Sequence, residues 1–554
     1  MNLTLQIRQF RRRITAFRLF LFLLFGILVY HYFFKKPSTS TRQSPVQEKY
    51  HPALTTKKVK LSAPEIDKIP ENAKSLRVIE AFKDCWKGYK ASAWGYDEFH
   101  PLSKTGSNWF SLGLTIVDGL DTAYLMGQKD IFKEARDWVE KELKFDYQEG
   151  ESNVFEITIR VLGGLMSSFH FTNDKMFLEK AVDLADRLLI AFETKSHIPL
   201  ASINFKKKKA IPALHGSGSS TSEATTLQME FKYLTYLTND SKYWNAAQKV
   251  MKTVFDLEAE HGLLPVFIDP TTGKFEGGDI RLGSRGDSYY GKNTILLLIR
   301  VEYLEKQWLL TNQTEVKYHQ EFRKSMTGVR EKLLGISHPN ELLFVGESNT
   351  QFSYLSPKMD HLVCFLPGTL AWGATKGHAV DQYSRIKLDP ESRRDLELAE
   401  ELARSCFEMY AQTETKLSPE IVFWKTIPSE PYNGPPIPEK LFKYHTSPTA
   451  GAVFYPHWKS VPENGESDMD TRFHGKFTER TNEMDFSIHP NDGHNLMRPE
   501  TVESLFILYR ITGKEKYREW GWKIFEAFEK YSKIENGYTS LVKDSRCYAN
   551  PLLG

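Results

Sequence analysis

A short string recurs along this chain, and it restricts the fold more than any other feature. Thr172-Asn-Asp-Lys-Met-Phe-Leu-Glu-Lys-Ala181 aligns with Thr238-Asn-Asp-Ser-Lys-Tyr-Trp-Asn-Ala-Ala247 and with Thr512-Gly-Lys-Glu-Lys-Tyr-Arg-Glu-Trp-Gly521. Met126-Gly-Gln-Lys-Asp-Ile-Phe-Lys-Glu-Ala135 fits the same frame more loosely. Each string has Asn or Gly at its second position, where a helix C-terminus needs a residue that tolerates left-handed backbone. Each has a small residue at its tenth position, suited to close helix packing. The flanking stretches are amphipathic at helical period, and strand-like alternation is scarce. Recurring helical hairpins predict a solenoid or a closed αα barrel.

The same frame locates a set of acids. Glu156 lies 16 residues before Thr172, Glu223 15 before Thr238 and Glu500 12 before Thr512. All three therefore sit near the start of the first helix of a hairpin. One such acid is explained by the helix dipole. Three in one frame, in apolar or aromatic surroundings, predict carboxylates converging at one end of a ring.

The N-terminus is organised differently. Residues 1–18 carry Arg8, Arg11, Arg12, Arg13 and Arg18 and no acid, and residues 19–34 read LFLFLLFGILVYHYFF. The run is shorter than the ~20 residues of a typical span, but Arg18 and Lys35 can snorkel at its two ends. No small-residue cleavage site follows, so an uncleaved signal anchor is expected. The basic excess before it predicts a cytosolic tail over 1–18, a transmembrane anchor over 19–34 and a lumenal remainder. Residues 35–70, rich in Pro, Ser, Thr and Lys, read as a flexible stem, followed by a catalytic domain over 71–554. Asn239-Asp-Ser and Asn312-Gln-Thr are lumenal glycosylation sequons.

Composition excludes several classes. A hydrophobic fraction of 41% with 26% charged residues is globular, not disordered or fibrous. Lys+Arg 73 against Asp+Glu 70 gives only +3, so no whole-chain basic field favours nucleic acid. Four cysteines in 554 residues exclude a disulfide scaffold. There is no Gly-rich phosphate loop, no His-Glu-x-x-His zinc motif and no Gly-x-Ser-x-Gly elbow. The basic run Lys206–Lys209 reads as a solvated loop.

The sharpest local strings are Asn153-Val-Phe-Glu-Ile-Thr-Ile-Arg160, Gly283-Ser-Arg-Gly-Asp-Ser-Tyr-Tyr290, Lys358-Met-Asp-His-Leu-Val-Cys364, Leu417-Ser-Pro-Glu420 and Arg498-Pro-Glu-Thr-Val-Glu503. They mix carboxylates, arginines and aromatics, as a glycosidase requires. One carboxylic acid protonates the leaving oxygen, another carboxylate activates water, and arginines and aromatic faces hold the sugar. Glu156 and Arg160 are four apart and share a helix face, which is also the spacing of an ordinary surface ion pair.

These five strings, in this order over about residues 75–541, resemble the class I α-1,2-mannosidases, glycoside hydrolase family 47. The resemblance implies an (αα)7 barrel, inverting hydrolysis of α-1,2-linked mannose on N-glycans of glycoproteins, and a bound Ca2+. It implies Glu156 as general acid, Glu500 as general base, and Asp287 and Glu420 as further catalytic acids. Arg160, Glu223, Arg285, Asp360, Arg498 and Glu503 are implied to line the sugar or its water-held metal. Cys364 and Cys406 match the family's disulfide, while Cys85 and Cys547 are expected to be free thiols. Arg285 and the string Ser219-Ser-Thr-Ser-Glu-Ala-Thr-Thr-Leu-Gln-Met-Glu230 match the endoplasmic-reticulum branch, which trims one mannose from a Man9 glycan. The alternatives are a Golgi enzyme of the same family and a mannose-binding, lectin-like relative acting in glycoprotein degradation.

The chain departs from the family pattern at three places. Residues 291–301, Gly-Lys-Asn-Thr-Ile-Leu-Leu-Leu-Ile-Arg-Val, separate Asp287 from the next repeat turn and read as an insertion or as about three extra helical turns. Residues 426–484 form a long polar, Pro-rich insert, expected to be a surface loop. After Ser540 no equivalent of the family's Ca2+-binding threonine follows, so no direct metal ligand is assigned. The last hairpin is expected to be incomplete, and activity impaired.

Overall fold

The computed structural model describes residues 73–146, 150–212, 218–283, 298–352, 354–380, 387–425 and 483–541, with side chains in the fourth stretch from residue 303 onward. The chain opens with α1 (Ala73–Ser92) and then runs as helical hairpins. The first pairs α2 (Leu114–Leu125) with α3 (Lys129–Lys141). The second runs α4 (Val154–Ile157), a π-turn (Thr158–Leu162) and α5 (Gly163–Thr172) into α6 (Lys175–Leu188). The third joins α7 (Thr221–Thr225) and α8 (Gln228–Thr238) to α9 (Ser241–Phe255). The rest are α10 (Leu298–Leu310) with α11 (Val316–Lys332), α12 (Leu366–Thr375) with α13 (Pro390–Ala411), and α14 (Glu500–Thr512) with α15 (Lys516–Tyr531).

Burial separates two rings. The first helix of the first hairpin, α2, is largely apolar and buries Leu114, Ile116, Val117, Leu120, Ala123 and Leu125. Such a helix must sit inside. The inner helices pack in the order α2, α5, α8, α10, α12, α14. The second helix of each hairpin is amphipathic, and α3 buries only Ala135 and Val139.

Polar pairs join the outer helices into a closed ring. Arg136 Nε meets Asp174 at the start of α6 at 2.8 Å. Tyr243 donates to Asp186 at 2.7 Å, Tyr318 to Gln248 at 3.0 Å, and Arg323 to Asp395 at 2.6 Å. Tyr517 donates to Glu400 at 2.9 Å, Arg77 to Glu529 at 2.8 Å, and Trp86 to Glu134 at 2.7 Å. The last two place α1 between α15 and α3. Among the described residues the molecule is thus an all-α barrel of six inner and seven outer helices.

The repeat has a physical cause. Thr172, Thr238, Thr311, Thr375 and Thr512 each return a hydroxyl to the carbonyl four residues back, at 2.7–2.9 Å. The next residue is left-handed: Asn173 at φ 56, Asn239 at φ 60, Asn312 at φ 52, Lys376 at φ 53 and Gly513 at φ 70. Asp174 and Asp240 then cap the outer helix through the N–H groups of Met176 and Lys242. Sequence reading is corrected at Gly521. Ala135, Ala181 and Ala247 are fully buried, but a Cβ on Gly521 would meet nothing within 4 Å, so close packing does not explain that glycine.

The strands are short, two to four residues each, and lie in the segments that follow the outer helices. β3 (Ser152–Asn153) leads into α4, and β6 (Ser219–Ser220) leads into α7. β13 (Lys358–Asp360), β14 (Ile421–Trp424) and β15 (Phe486–Ser487) form one sheet. Pairing of Phe423 with Ser487 and Trp424 with Phe486 brings the ends of the Pro-rich insert together; its residues 426–482 lie outside the described residues. α10 is described from Leu298, so residues 298–301 of the 291–301 segment belong to an inner helix, and 291–297 lie outside the described residues. The stem, the 19–34 segment, Cys547 and everything after Leu541 also lie outside. Among the described residues no helix is long and apolar enough to cross a membrane.

Candidate active site

The inner helices begin at one end of the barrel, and the acids gather there in two groups. The first is built on α4 and α7. Glu156 is the third residue of α4, and Asn153 caps that helix by accepting from the Glu156 N–H at 2.8 Å. The other side of the Asn153 amide donates to Glu223 Oε2 at 3.3 Å. Glu223, third in α7, is positioned by its own cap, Ser220. Arg160 Nε holds Glu156 Oε2 at 2.6 Å, from within the π-turn. A π-turn inside an α-helix often marks a functional position. Arg160 Nη1 lies 3.9 Å from Asp118 Oδ2 on α2. Burial pushes the Asp118 carboxyl up to about 7, with Arg160 pulling it down and Asp121 and Glu156 adding to the rise.

The second group is built on β13, β14 and α14. Arg498 donates from Nε to both oxygens of Glu420, at 2.6 Å each, and from Nη2 to Oε1 as well. Both residues are buried. Such forked, charge-assisted pairing fixes a carboxylate and keeps it ionised. His361 follows β13; its N–H donates to the Glu420 carbonyl at 2.9 Å. Its ring Nδ1 lies 3.3 Å from Glu500 Oε2, and Glu500 opens α14. Glu503, one turn on, is 4.0 Å from Lys306 of α10.

Asp360 is 1% exposed and sits under the backbone of Gly283, where an added Cβ would lie 2.3 Å from Oδ2. It ends a ladder of alternating charges: Arg281 to Glu347 at 3.5 Å, Glu347 to Lys358 at 2.8 Å, Lys358 to Asp360 at 3.2 Å. This ladder ties the segment leading into the Arg-Gly-Asp string to the strand before His361. Arg285 and Asp287 themselves lie outside the described residues.

Glu156, Arg160 and Glu223 are therefore brought together, as are Glu420, Arg498, Glu500 and Asp360. Cys364 and Cys406 are disulfide-bonded with a Cα separation of 5.7 Å, and Cys85 is a free, buried thiol. Sequence reasoning passed over His361, although it stands inside a string singled out for its acid. It also passed over Asp118, an acid in the apolar run Ile116-Val117-Asp118-Gly119, which is the signal that could have found it. Glu230 on α8, its carboxyl pushed up to about 7 by burial, was likewise legible as an acid on an inner helix. Trp109, 38% exposed in the loop entering α2, stacks on Phe110 at 4.2 Å and presents a flat apolar face at the same end.

The fit of a metal can be tested on these side chains. Among the described residues, no three His, Cys, Asp or Glu side chains form a group that could hold an ion. Glu500 Oε2, Glu230 Oε2 and Asp121 Oδ1 are buried without a hydrogen-bond partner. Lone carboxylates of this kind can accept from an ion's water shell, but they are not an inner ligand set. No chemical step is therefore routed through a metal.

Residues 81–545 match the model of glycosyl hydrolase family 47. The chain is 42% identical over 496 residues to mannosyl-oligosaccharide 1,2-alpha-mannosidase MNS3 of Arabidopsis thaliana, covering 85% of this chain and 71% of that protein. It is 39% identical to the endoplasmic reticulum mannosyl-oligosaccharide 1,2-alpha-mannosidase of Schizosaccharomyces pombe (85% and 81% covered). The identity is again 39% to that of Homo sapiens, with 85% of this chain and 56% of the human protein covered. Among solved structures, an alpha-1,2-mannosidase from Trichoderma reesei superposes with a TM-score of 0.65 at 24% identity, covering 86% of this chain and 89% of that one, which bears on the fold. With the motifs in order and their acids at one end of the barrel, the chain belongs to glycosyl hydrolase family 47.

Proposed function

We propose that this protein removes terminal α-1,2-linked mannose from Man9-type N-glycans in the endoplasmic reticulum, by an inverting mechanism. The observation that carries the reading is the placement of Glu156 and Glu500 at the mouths of inner helices at one end of the barrel. The names of the relatives point to the same substrate and compartment. Glu156, held through one oxygen by Arg160, is the general acid that protonates the leaving oxygen. Glu500 is the general base that takes a proton from the attacking water. Arg160 and Glu223 bind sugar hydroxyls on one side, and Glu503 on the other. Arg285 and Asp287, outside the described residues, belong to the proposal through their place in the Arg-Gly-Asp string. Glu420, held through both oxygens by Arg498, lines the same mouth as a further acid of the site.

The finer reading is an (αα)7 barrel, with the seventh inner position between α14 and α2, and a single-pass anchor at residues 19–34 that leaves the barrel lumenal. Ca2+ belongs to the proposal as an ion whose waters meet the lumen carboxylates. Full-length protein in detergent, given Man9 glycan, should release one mannose. Ca2+ should raise the melting temperature, and a chelator should reverse that rise. Absence of mannose release with Ca2+ present overturns the enzymatic reading. An unchanged melting temperature with Ca2+ overturns the metal part alone.

A further inference from the structure

We propose that Tyr410 is a positioning residue for Glu500, acting through the ring of His361. The inference rests on the reading of Glu500 as the base. His361 Nε2 has two hydroxyl neighbours at 2.9 Å, Tyr410 Oη and Thr501 Oγ1. All three residues are buried, at 1%, 0% and 2% exposure for Tyr410, Thr501 and His361.

Hydrogen counting then selects the tautomer. A hydrogen on Nε2 would oblige the hydroxyls to accept, and their own hydrogens would compete for one remaining acceptor. Thr501 cannot relieve the conflict in the way the other inner-helix threonines do. It is the second residue of α14, so no helical carbonyl stands four residues back. One buried hydroxyl hydrogen would be left unpaired, at a cost of about 1–3 kcal/mol. With the hydrogen on Nδ1, the Tyr410 hydroxyl donates to Nε2 and the Thr501 hydroxyl donates to Nε2 or to the Tyr410 oxygen. Both hydroxyl hydrogens are then used, and the ring Nδ1 lies 3.3 Å from Glu500 Oε2, two buried atoms that have no other hydrogen-bond partner. A ring so oriented holds its Nδ1 beside Glu500 and restrains where that carboxylate can turn. Such contacts commonly tighten when substrate is bound.

The surrounding covalent structure keeps the three groups in register. His361 opens the turn His361–Phe365, and Cys364 of that turn is bonded to Cys406 on α13. Cys406 and Tyr410 are four apart and share a helix face, so the disulfide fixes Tyr410 against the His361 ring, which it meets edge-on at 5.5 Å. From the other side, Ser504 of α14 donates to the Cys364 carbonyl at 2.5 Å. The base-bearing helix, the histidine turn and the tyrosine helix are thus pinned at one point. A base oriented by a second group, itself oriented by a third, is a recurring arrangement at catalytic sites.

The test is Tyr410→Phe, which removes one oxygen and keeps the ring. On Man9 glycan, kcat should fall at least tenfold, with KM within twofold. The acidic limb of the kcat profile should move to higher pH, because a ring held by one hydroxyl alone keeps its N–H less firmly at the carboxylate. A purely structural role would lower the melting temperature without moving that limb. If kcat and the limb are both unchanged, the proposal is wrong. Thr501→Val should give the same shift to a smaller degree, and it decides the matter if Tyr410→Phe does not fold. An activity-free readout separates this proposal from the enzymatic one. In 15N-histidine spectra of the full chain, the His361 signal, assigned by its loss in His361→Gln, should show a protonated Nδ1 and a bare Nε2. Tyr410→Phe combined with Thr501→Val, which removes both hydroxyls from Nε2, should shift it toward the other tautomer. A protonated Nε2 in the unsubstituted chain overturns the proposal whatever the activity.

Discussion

The two acid groups of the barrel are built on opposite plans. On the α4–α7 arc, Glu156 has one oxygen bound by one arginine nitrogen and stays 23% exposed. On the β14–α14 arc, Glu420 has both oxygens taken by Arg498 and is 8% exposed. The loose arrangement lets a carboxyl change protonation state during a reaction. The tight one holds a charge constant. Glu500 differs from both, with its Oε2 3.3 Å from the His361 ring. The contrast teaches that residue type alone does not set the role of an acid here; the number and charge of its partners do.

The contrast can be broken from either side. Glu156→Gln and Glu500→Gln should each lower kcat by about 10²–10⁴-fold, the range of a lost general acid or base, while glycan binding persists. Steady-state kinetics with a separate binding assay checks this. Arg498→Met leaves Glu420 buried without its cation, so stability should fall by about 3–5 kcal/mol, seen in denaturant unfolding. The corresponding Arg160→Met should cost far less stability, because Glu156 can turn to water, and should show its effect in KM. The smallest effect is a pH dependence at Asp118. Its folded value of about 7 lies above the unfolded carboxyl value. The carboxyl therefore costs nothing below about pH 4, costs stability progressively as pH rises from about 4 to about 7, and costs no more above that. Asp118→Asn should leave the melting temperature nearly unchanged at about pH 4 and raise it on the order of 1 °C at about pH 8.

Much of this architecture was legible in the chain because it is local. The Thr-Asn and Thr-Gly turns announce themselves through short-range needs: a hydroxyl returned to the preceding helix turn, a left-handed residue, a cap for the next helix. Glu156, Glu223 and Glu500 could be placed by counting from those turns. What could not be read was non-local. The Arg498–Glu420 fork joins residues 78 apart in sequence. The charge ladder from Arg281 to Asp360 crosses separate strands. His361 was hidden because a histidine in an apolar string is explained equally well by a satisfied core position; only Glu500 at its Nδ1 sets it apart. Gly521 marks the limit of the repeat argument, since it keeps the frame without the packing reason.

The central claim is that Glu156 and Glu500 act as acid and base on opposite faces of the sugar. The most direct test is the anomer first formed when the full-length protein hydrolyses an α-1,2-linked mannobiose, followed by proton NMR before mutarotation. The account predicts β-mannose, with Glu156→Gln and Glu500→Gln each suppressing its formation. First appearance of α-mannose, or β-mannose formed at an undiminished rate by Glu500→Gln, would contradict it.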